Sequence, residues 1–189
     1  MDCSCRVHHE ILGKGCNKPK ETCVSFDINA EFFIQIGMAR RLTQEETLNL
    51  LKDCEKKGLV HTALNGQETN FICNCCSDCC GILRSLTQFH RSGMFATSNF
   101  RAVVDNSIEC KKCYRCFDIC PTHAILTWPN EQENLEFEIN HDLCIGCGLC
   151  SSNCPTKHLK LKKVSQEIPE KGMPEAYKRY TKERYREWN

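Results

Sequence analysis

The stretch that decides the fold runs from Cys110 to Pro155. It opens with CKKCYRCFDICP (110–121) and closes with CIGCGLCSSNCP (144–155). Both segments space their cysteines as C-x2-C-x2-C-x3-C and follow the last cysteine with proline. The second segment repeats the first at a constant offset, which also aligns Thr122 with Thr156. This self-similarity indicates an internal duplication, and we expect two half-modules related by a pseudo-twofold axis.

The cysteine spacing of each segment is typical of bacterial [4Fe–4S] sites, in which the fourth cysteine of a run serves the other cluster. Three cysteines at two-residue gaps let one tight loop reach three corners of an iron–sulfur cube. The fourth thiolate must then come from elsewhere, so the spacing predicts crossed ligand sets. The first set is Cys110, Cys113, Cys116 and Cys154, and the second is Cys144, Cys147, Cys150 and Cys120.

The two cysteine loops differ in bulk and charge. The second loop has Gly146 and Gly148, which allow close backbone approach and amide bonds to cluster sulfur. The first loop instead carries Lys111, Lys112 and Arg115. We therefore expect two clusters of unequal reduction potential, and a basic first loop that faces an acidic partner surface.

The high cysteine content has two possible explanations. Eighteen cysteines in 189 residues indicate either a disulfide scaffold in an oxidising compartment or metal thiolates in a reducing one. The N-terminal segment MDCSCRVHHE lacks the apolar stretch of a signal peptide, and no run of about 18 apolar residues occurs. We expect a cytoplasmic protein, without membrane insertion, whose thiols stay reduced and bind metal.

The formal net charge of +1 gives no global indication of a nucleic-acid partner.

Nine further cysteines are clustered ahead of the repeat, and we expect them to hold one or two additional Fe–S clusters or zinc. They are Cys3, Cys5, Cys16, Cys23, Cys73, Cys75, Cys76, Cys79 and Cys80. The first four could form one tetrahedral site or complete a site with the others. The other five fall at the start of a predicted helix, whose N-terminus favours anionic thiolates. Their spacing decides neither which four bind nor whether the metal is Fe–S or zinc.

Cys54 has no cysteine neighbour, and we expect it to pack as a small buried hydrophobe.

Helices and one hairpin are predicted ahead of the repeat. Residues 29–42 have the apolar periodicity of a helix, and a second helix follows the capping-box pair Thr43 and Glu46. Asn65-Gly66 predicts the tight turn of a β-hairpin between two strand-like runs. Residues 82–91 are expected to form a further helix.

The fold class that follows is α+β. A small helical, cysteine-rich N-terminal domain with a β-hairpin (1–95) precedes a ferredoxin-like dicluster domain with two pseudo-symmetric halves (96–163). A strand at Phe100–Val104 is expected to dock onto that second domain. A basic, aromatic tail (164–189) completes the chain.

The tail is predicted to be helical over residues 175–188. Tyr177, Tyr180 and Trp188 lie near one face of that helix. It is either a solvated terminus or a surface that packs on a partner, since tyrosine and tryptophan are enriched at interfaces.

The Cys110–Pro155 stretch closely resembles the bacterial two-[4Fe–4S] ferredoxin family. This resemblance implies one-electron transfer at low potential between cytoplasmic redox enzymes. The front half is similar to larger cysteine-rich ferredoxin-like proteins of anaerobes, in which four short motifs precede the dicluster domain. Here those motifs are Cys3–Arg6, Gly13–Cys16, Glu21–Cys23 and Cys73–Cys76. The similarity implies added cofactors without naming them.

We therefore expect an electron carrier rather than an enzyme: the relay subunit of a larger anaerobic oxidoreductase, whose other subunits donate or accept the electrons. One alternative is a small Fe–S enzyme with its site at the Cys73–Cys80 knot. Its support is weak, because His61 and His90 are isolated and no phosphate-binding glycine motif occurs. Another is a redox-sensing regulator that binds protein or nucleic acid through residues 29–72. The acidic second helix is poorly suited to phosphate contacts.

Overall fold

The computed structural model combines short helices with small antiparallel sheets. The structure describes residues 1–88, 93, 96, 98–129, 135–172, 175, 178, 181 and 182. Its helices are α1 Ser4–Ile11, α2 Asp27–Gln35, α3 Gln44–Lys56, α4 Gly81–Gln88, α5 Arg115–Asp118 and α6 Leu149–Ser152. Its strands are β1 Val24–Ser25, β2 Val60–Thr62, β3 Phe71–Cys75, β4 Phe100–Val104, β5 Ile125–Pro129, β6 Leu135–Ile139 and β7 Leu159–Lys163.

Helix α3 begins with the predicted capping box. The Glu46 N–H donates to Thr43 Oγ1 at 3.1 Å, and the Thr43 N–H donates to Glu46 Oε2 at 2.7 Å. Two of the otherwise unpaired amide groups at the helix start are satisfied in this way. Gly58 follows the end of the helix with a φ of 72°, so α3 has a defined beginning and end.

The predicted helix over 29–42 is wrong in extent. Helix α2 begins at Asp27 and ends at Gln35. Gly37 takes a φ of 73°, a left-handed conformation that glycine adopts readily and that terminates helices. The apolar periodicity continues past this glycine in the sequence, but the helical conformation of the backbone ends before it. For the helix predicted over 82–91, the described part is α4, Gly81–Gln88, and residues 89–91 lie outside the described residues.

The predicted hairpin forms, but without a tight turn at Asn65-Gly66. Strands β2 and β3 pair antiparallel, with Thr62 opposite Cys73, so residues 63–70 form the loop between them. The tail holds this loop: Gln67 donates its backbone N–H to Glu170 O and its side-chain amide to Pro169 O, both at 2.9 Å. Strand β1 pairs with the other edge of β3, which makes β3 the central strand of a small sheet.

The duplication is visible in the backbone of the dicluster region. Helices α5 and α6 occupy equivalent positions in the two cysteine segments, and β5 and β7 begin at equivalent points after them. Three pairs of aligned positions share a positive φ: Lys112 and Gly146, Tyr114 and Gly148, His123 and Lys157. The two halves therefore repeat the same loop conformation. Strand β4 pairs with β7 over its full length, which confirms the strand predicted to dock onto this region.

One buried cluster joins the front half to the dicluster region. Val60 and Leu83 pack with Ile145 and Leu149 of the second cysteine loop. A second link is polar, since Asn153 Nδ2 donates to Glu55 O at 3.1 Å. The front cysteines are consequently held against the second cysteine loop by both apolar and polar contacts.

No helix in the described part of the chain combines the length and the apolar character that crossing a membrane requires. The tail residues Tyr177, Tyr180 and Trp188, on which the docking-helix prediction depends, lie outside the described residues.

Candidate functional site

The first predicted ligand set surrounds a single small cavity. Its lining includes all four cysteines together with Pro155 and Tyr114. Cys110 and Cys113 precede α5 and Cys116 lies within it, while Cys154 follows α6 in the other half of the duplication. The structure therefore brings residues from both halves of the repeat to one site.

The second predicted set lies in the interior. Cys144 and Cys150 are buried. Burial, together with the nearby Cys120 and Cys144, raises the pKa of Cys147 to about 11 and that of Cys150 to about 12. Cys120, from the first half, is thus close enough to interact electrostatically with the second loop. It also accepts a hydrogen bond from the Ala124 N–H at 3.2 Å.

A threonine accompanies the last cysteine of each run. Thr122 Oγ1 lies 3.8 Å from Cys120 Sγ, and Thr156 Oγ1 lies 3.7 Å from Cys154 Sγ. For Cys154, burial acts to raise the pKa, but hydrogen bonds from the Leu159 N–H and from Thr156 outweigh it and lower the pKa. These donors favour the thiolate, which is the form that binds metal.

The donor sets fit iron–sulfur clusters. Both consist of thiols alone, and soft thiolates select Fe–S clusters and zinc over hard cations. Burial raises the pKa of Cys116 to about 11, so buried thiols of this kind become anionic only when a cation compensates the charge. Metal binding deprotonates such thiols.

The second loop approaches the neighbouring backbone closely. A Cβ atom at Gly146 would overlap the Phe100 carbonyl oxygen and lie 2.6 Å from Ser98 Oγ. A Cβ atom at Gly148 would lie 2.8 Å from Leu161 Cδ1. At Gly146 the obstructing atoms include the Phe100 backbone, so a side chain has no room there, whereas at Gly148 only the end of the Leu161 side chain would have to move.

The front cysteines form two groups, of which the first is compact. The Sγ atoms of Cys16, Cys76 and Cys79 all lie within 4.8 Å of one another. Cys76 and Cys79 are buried, and Cys16 is half-buried. The sequence allowed a site made of Cys3, Cys5, Cys16 and Cys23. The structure instead places Cys16 beside two members of the later cysteine knot.

The second group lines a cavity of about 720 Å³ beneath α2. Its members are Cys3, Cys5, Cys23, Cys73, Cys75 and Cys80, and Cys76 and Cys79 of the first group also border this cavity. Neighbouring thiols contact one another in a chain, from Cys3 through Cys23, Cys73 and Cys75 to Cys80. Contact with Cys75 lowers the pKa of Cys80 to about 6, and the N–H groups at the start of α4 contribute to this shift. Crowded thiols that share protons in this way are chemically suited to bind metal.

Arg6 connects the front cysteines to the rest of the fold. Its guanidinium is buried and donates to Asn74 O at 3.0 Å, to Cys76 Sγ at 3.7 Å and to Thr22 Oγ1. Asn74 Oδ1 in turn lies 2.5 Å from His61 Nδ1. His61 is therefore part of a structural network, while His90 lies outside the described residues.

Sequence reasoning missed two members of this region. Cys54 is buried, as predicted, but it packs in the same cluster as Cys76 and Cys79, although it has no cysteine neighbour in the sequence. Arg6 is visible in the sequence only as the last residue of the Cys3–Arg6 motif. An arginine directly after a Cys-x-Cys pair is a signal that could have indicated a countercharge.

The comparisons with known proteins agree with this geometry. The family model of the 4Fe-4S dicluster domain matches residues 109–172. Pyruvate synthase subunit PorD of Methanocaldococcus jannaschii is 37% identical over 78 residues, which are 41% of this chain and 80% of that protein. PorD of Methanothermobacter marburgensis is 31% identical over 77 residues, or 41% and 82% of the two chains.

A more distant relative covers more of the chain. The ferredoxin-type protein NapF of Escherichia coli K12 is 28% identical over 113 residues, which are 54% of this chain and 65% of NapF. No solved structure matches this chain. The duplicated cysteine loops, the matching family model and the PorD relatives lead to one conclusion. The chain belongs to the 4Fe–4S dicluster ferredoxin family and is an electron-transfer protein with two [4Fe–4S] clusters.

Proposed function

We propose that this protein is the ferredoxin-like relay subunit of a larger oxidoreductase complex. The observation that carries the proposal is the convergence of cysteines from both halves of the duplication on one cavity. The relatives support it, since two of them are named as subunits of pyruvate synthase. The proposal includes a cytoplasmic location, where the eighteen unpaired thiols would stay available as ligands.

The ligand sets in this proposal are the crossed ones. One cluster is held by Cys110, Cys113, Cys116 and Cys154, and the other by Cys144, Cys147, Cys150 and Cys120. When bound, each cluster supplies a site that accepts and donates one electron at a time. The protein's part is to orient the thiolates and to exclude water. Buried Ala124, Ile125 and Leu159 pack with the cysteines and form that dry surrounding.

The first cysteine loop is the proposed contact for an acidic redox partner. Lys111, Lys112 and Arg115 are exposed, and they flank Cys113, which is itself exposed. A thiolate at the surface shortens the electron path to a docked partner, and the surrounding positive charge favours an acidic surface there. The second loop is buried against the front half, so it is less accessible to a partner.

We further propose a three-part organisation: a cysteine-rich unit at 1–95, the dicluster unit at 96–163 and a tail at 164–189. The cluster of Val60, Cys75, Ile145 and Leu149 supports a packed interface between the first two units. Cys75 and Cys80 adjoin this interface, so any cofactor in the front cavity would lie next to the second loop. This arrangement favours a relay that is extended by front-half centres.

Purification of the tagged full chain from its native host, without oxygen, tests this proposal. We expect a larger oxidoreductase subunit to copurify, and we expect that subunit to reduce or oxidise the clusters at a rate comparable to its turnover. A Cys113→Ser variant that keeps the partner but slows the exchange would support the assigned entry point. Isolation of a cluster-loaded chain that neither retains such a subunit nor exchanges electrons with it would contradict the proposal.

A further inference from the structure

We propose that Cys16, Cys76 and Cys79 bind a single tetrahedrally coordinated metal ion, zinc or iron, rather than a corner of an iron–sulfur cube. The assignment depends on sulfur spacing. Cys16 Sγ and Cys76 Sγ lie 3.8 Å apart, and all three sulfurs lie within 4.8 Å of one another. A tetrahedral ion with metal–sulfur bonds of about 2.3 Å places its ligand sulfurs about 3.8 Å apart.

A [4Fe–4S] cube requires wider spacing. Its four thiolates bind four different irons at the corners of the cube, so their sulfurs lie farther apart than the ligands of one ion. The dicluster cysteines provide an internal comparison. Within the described ranges, which include all eight of them, the 16–76–79 group is the one set of three or more Cys, His, Asp or Glu ligand atoms that meets the 4.8 Å spacing. The compact group therefore differs in kind from the cube sites.

The buried Arg6 is an independent indication that the site of Cys16, Cys76 and Cys79 carries negative charge. Its side chain is 2% exposed, and its Nη1 lies 3.7 Å from Cys76 Sγ. The other hydrogen-bond acceptors of the guanidinium are neutral, and its Nε is buried without a hydrogen-bond partner. A buried cation needs an anion nearby. A metal centre with three or four thiolates has a net negative charge and would supply that anion.

Cys54 is the thiol we assign to the fourth position; its sulfur lies outside the group of three that meets the 4.8 Å spacing and would turn toward the ion on binding. It is 2% exposed and packs in one buried cluster with Cys76, Cys79 and Leu59, with Cys16 at its margin. Structural sites of this type are almost always four-coordinate. The six remaining front cysteines line the 720 Å³ cavity, which Cys76 and Cys79 also border. Cys54 does not line that cavity and packs directly in the buried cluster of Cys76 and Cys79, so we assign it to this group.

The position of the site indicates what the ion would do. Cys16 follows α1, Cys54 lies near the end of α3, and the other two belong to the knot after β3. One ion would cross-link these three segments of the front half. Cys76 also lines a cavity of about 830 Å³ that is shared with Cys120 and Pro121 of the dicluster region. The ion would therefore fix the part of the front half that borders the clusters. This inference is independent of the proposed partner and of the relay function.

The test uses the full chain, purified without oxygen, with iron, zinc and acid-labile sulfide measured per chain. Cys16→Ser and Cys79→Ser remove a proposed ligand, while Ser77→Ala changes the same loop without removing a thiol. We expect each cysteine variant to lose one metal ion per chain with no change in sulfide, and the Ser77 variant to keep it. Loss of iron together with an equal amount of sulfide would overturn the proposal, as would no loss of metal.

Two further measurements guard against misfolding and test the fourth ligand. The EPR signal of the reduced dicluster reports whether a variant is folded, and Cys16→His keeps a metal-binding side chain, so we expect it to retain the ion. For zinc, X-ray absorption at the zinc edge should show about four sulfurs near 2.3 Å without a nearby second metal. For iron, which the cubes also contain, the same result is read from the difference between the spectra of the unmodified chain and the Cys16→Ser variant. Cys54→Val should lower that number to three. A second metal in the spectrum would overturn the single-ion assignment, and an unchanged sulfur count in the Cys54 variant would overturn its place as ligand.

Discussion

At the residue scale, the two cysteine loops reach the same backbone conformation with different residues. Gly146 and Gly148 have φ values of 67° and 81°, and Lys112 and Tyr114 have 51° and 55°. A side chain in this conformation costs about 1–2 kcal/mol. The first loop bears that cost and presents charge at the surface. The second avoids it and gains close packing against β4.

Gly146→Ala tests the close approach of the second loop, with Gly13→Ala as its control. Both glycines have a φ of 67°, but a Cβ at Gly13 meets nothing within 4 Å, whereas one at Gly146 overlaps Phe100 O. We expect the Gly13 variant to lose about 1–2 kcal/mol of stability and the Gly146 variant about 2–5 kcal/mol. Iron content and chemical unfolding check this. Equal losses in the two variants would contradict the steric argument.

Arg6→Lys tests the countercharge at the proposed single-ion site. Lysine keeps the charge but cannot replace three directed guanidinium hydrogen bonds. We expect metal affinity at that site to fall about 10- to 100-fold, as is usual when a partner of a ligand is removed. Competition with a chromophoric chelator measures it. Arg40→Lys, at an exposed arginine paired with Glu21, is the control. Unchanged affinity in the Arg6 variant would show that Arg6 only fills space.

At the element scale, α3 depends on its capping box, and Thr43→Ala tests this. Loss of the Thr43 side chain leaves the Glu46 N–H without its acceptor, and we expect a loss of about 1 kcal/mol in unfolding free energy. Thr47→Ala is the control, because Thr47 Oγ1 only donates back to Thr43 O within the helix. Circular dichroism during chemical unfolding gives both values. A loss for Thr47 as large as that for Thr43 would show that the cap is not the cause.

Local chemistry made some elements predictable and others not. Two predictions rest on a few neighbouring residues. The capping box of Thr43 and Glu46 forms as predicted, and the two cysteine segments repeat one backbone conformation as the duplication predicted. The predicted tight turn at Asn65-Gly66 was wrong. The position of the connecting loop depends on two distant contacts, the pairing of β1 with β3 and the hydrogen bond from Gln67 to the tail. The predicted extent of α2 was wrong because the left-handed conformation of Gly37 ends the helix even though the apolar periodicity continues. The grouping of Cys16 with Cys76 joins positions far apart in the chain, and spacing carries no information about such contacts.

At the scale of the whole molecule, the front half and the dicluster region share one buried cluster and one polar link. The second loop is enclosed by this packing, while the first loop faces solvent. The predicted difference in reduction potential between the clusters follows from that asymmetry as well as from loop composition, because burial, charge and hydrogen bonds to sulfur all set the potential.

Neutralising the first loop tests its role in partner binding. In Lys111→Gln with Lys112→Gln, we expect electron exchange with an acidic redox protein to slow by roughly 3- to 10-fold at low ionic strength, because steering charge is lost. Stopped-flow mixing at several salt concentrations measures the rate and its salt dependence. Lys52→Gln, on the exposed face of α3, is the control. Identical rates in all variants would place the docking surface elsewhere.

The central claim, an electron carrier with two [4Fe–4S] clusters in one duplicated unit, is tested most directly by counting. The measurement is iron and acid-labile sulfide per chain in protein purified without oxygen, combined with EPR after full reduction. Two cubes require about eight irons and eight sulfides, and two reduced clusters held in one small unit should give an EPR signal broadened by their interaction. Fewer than about eight irons, or a signal from one isolated cluster, would contradict the account.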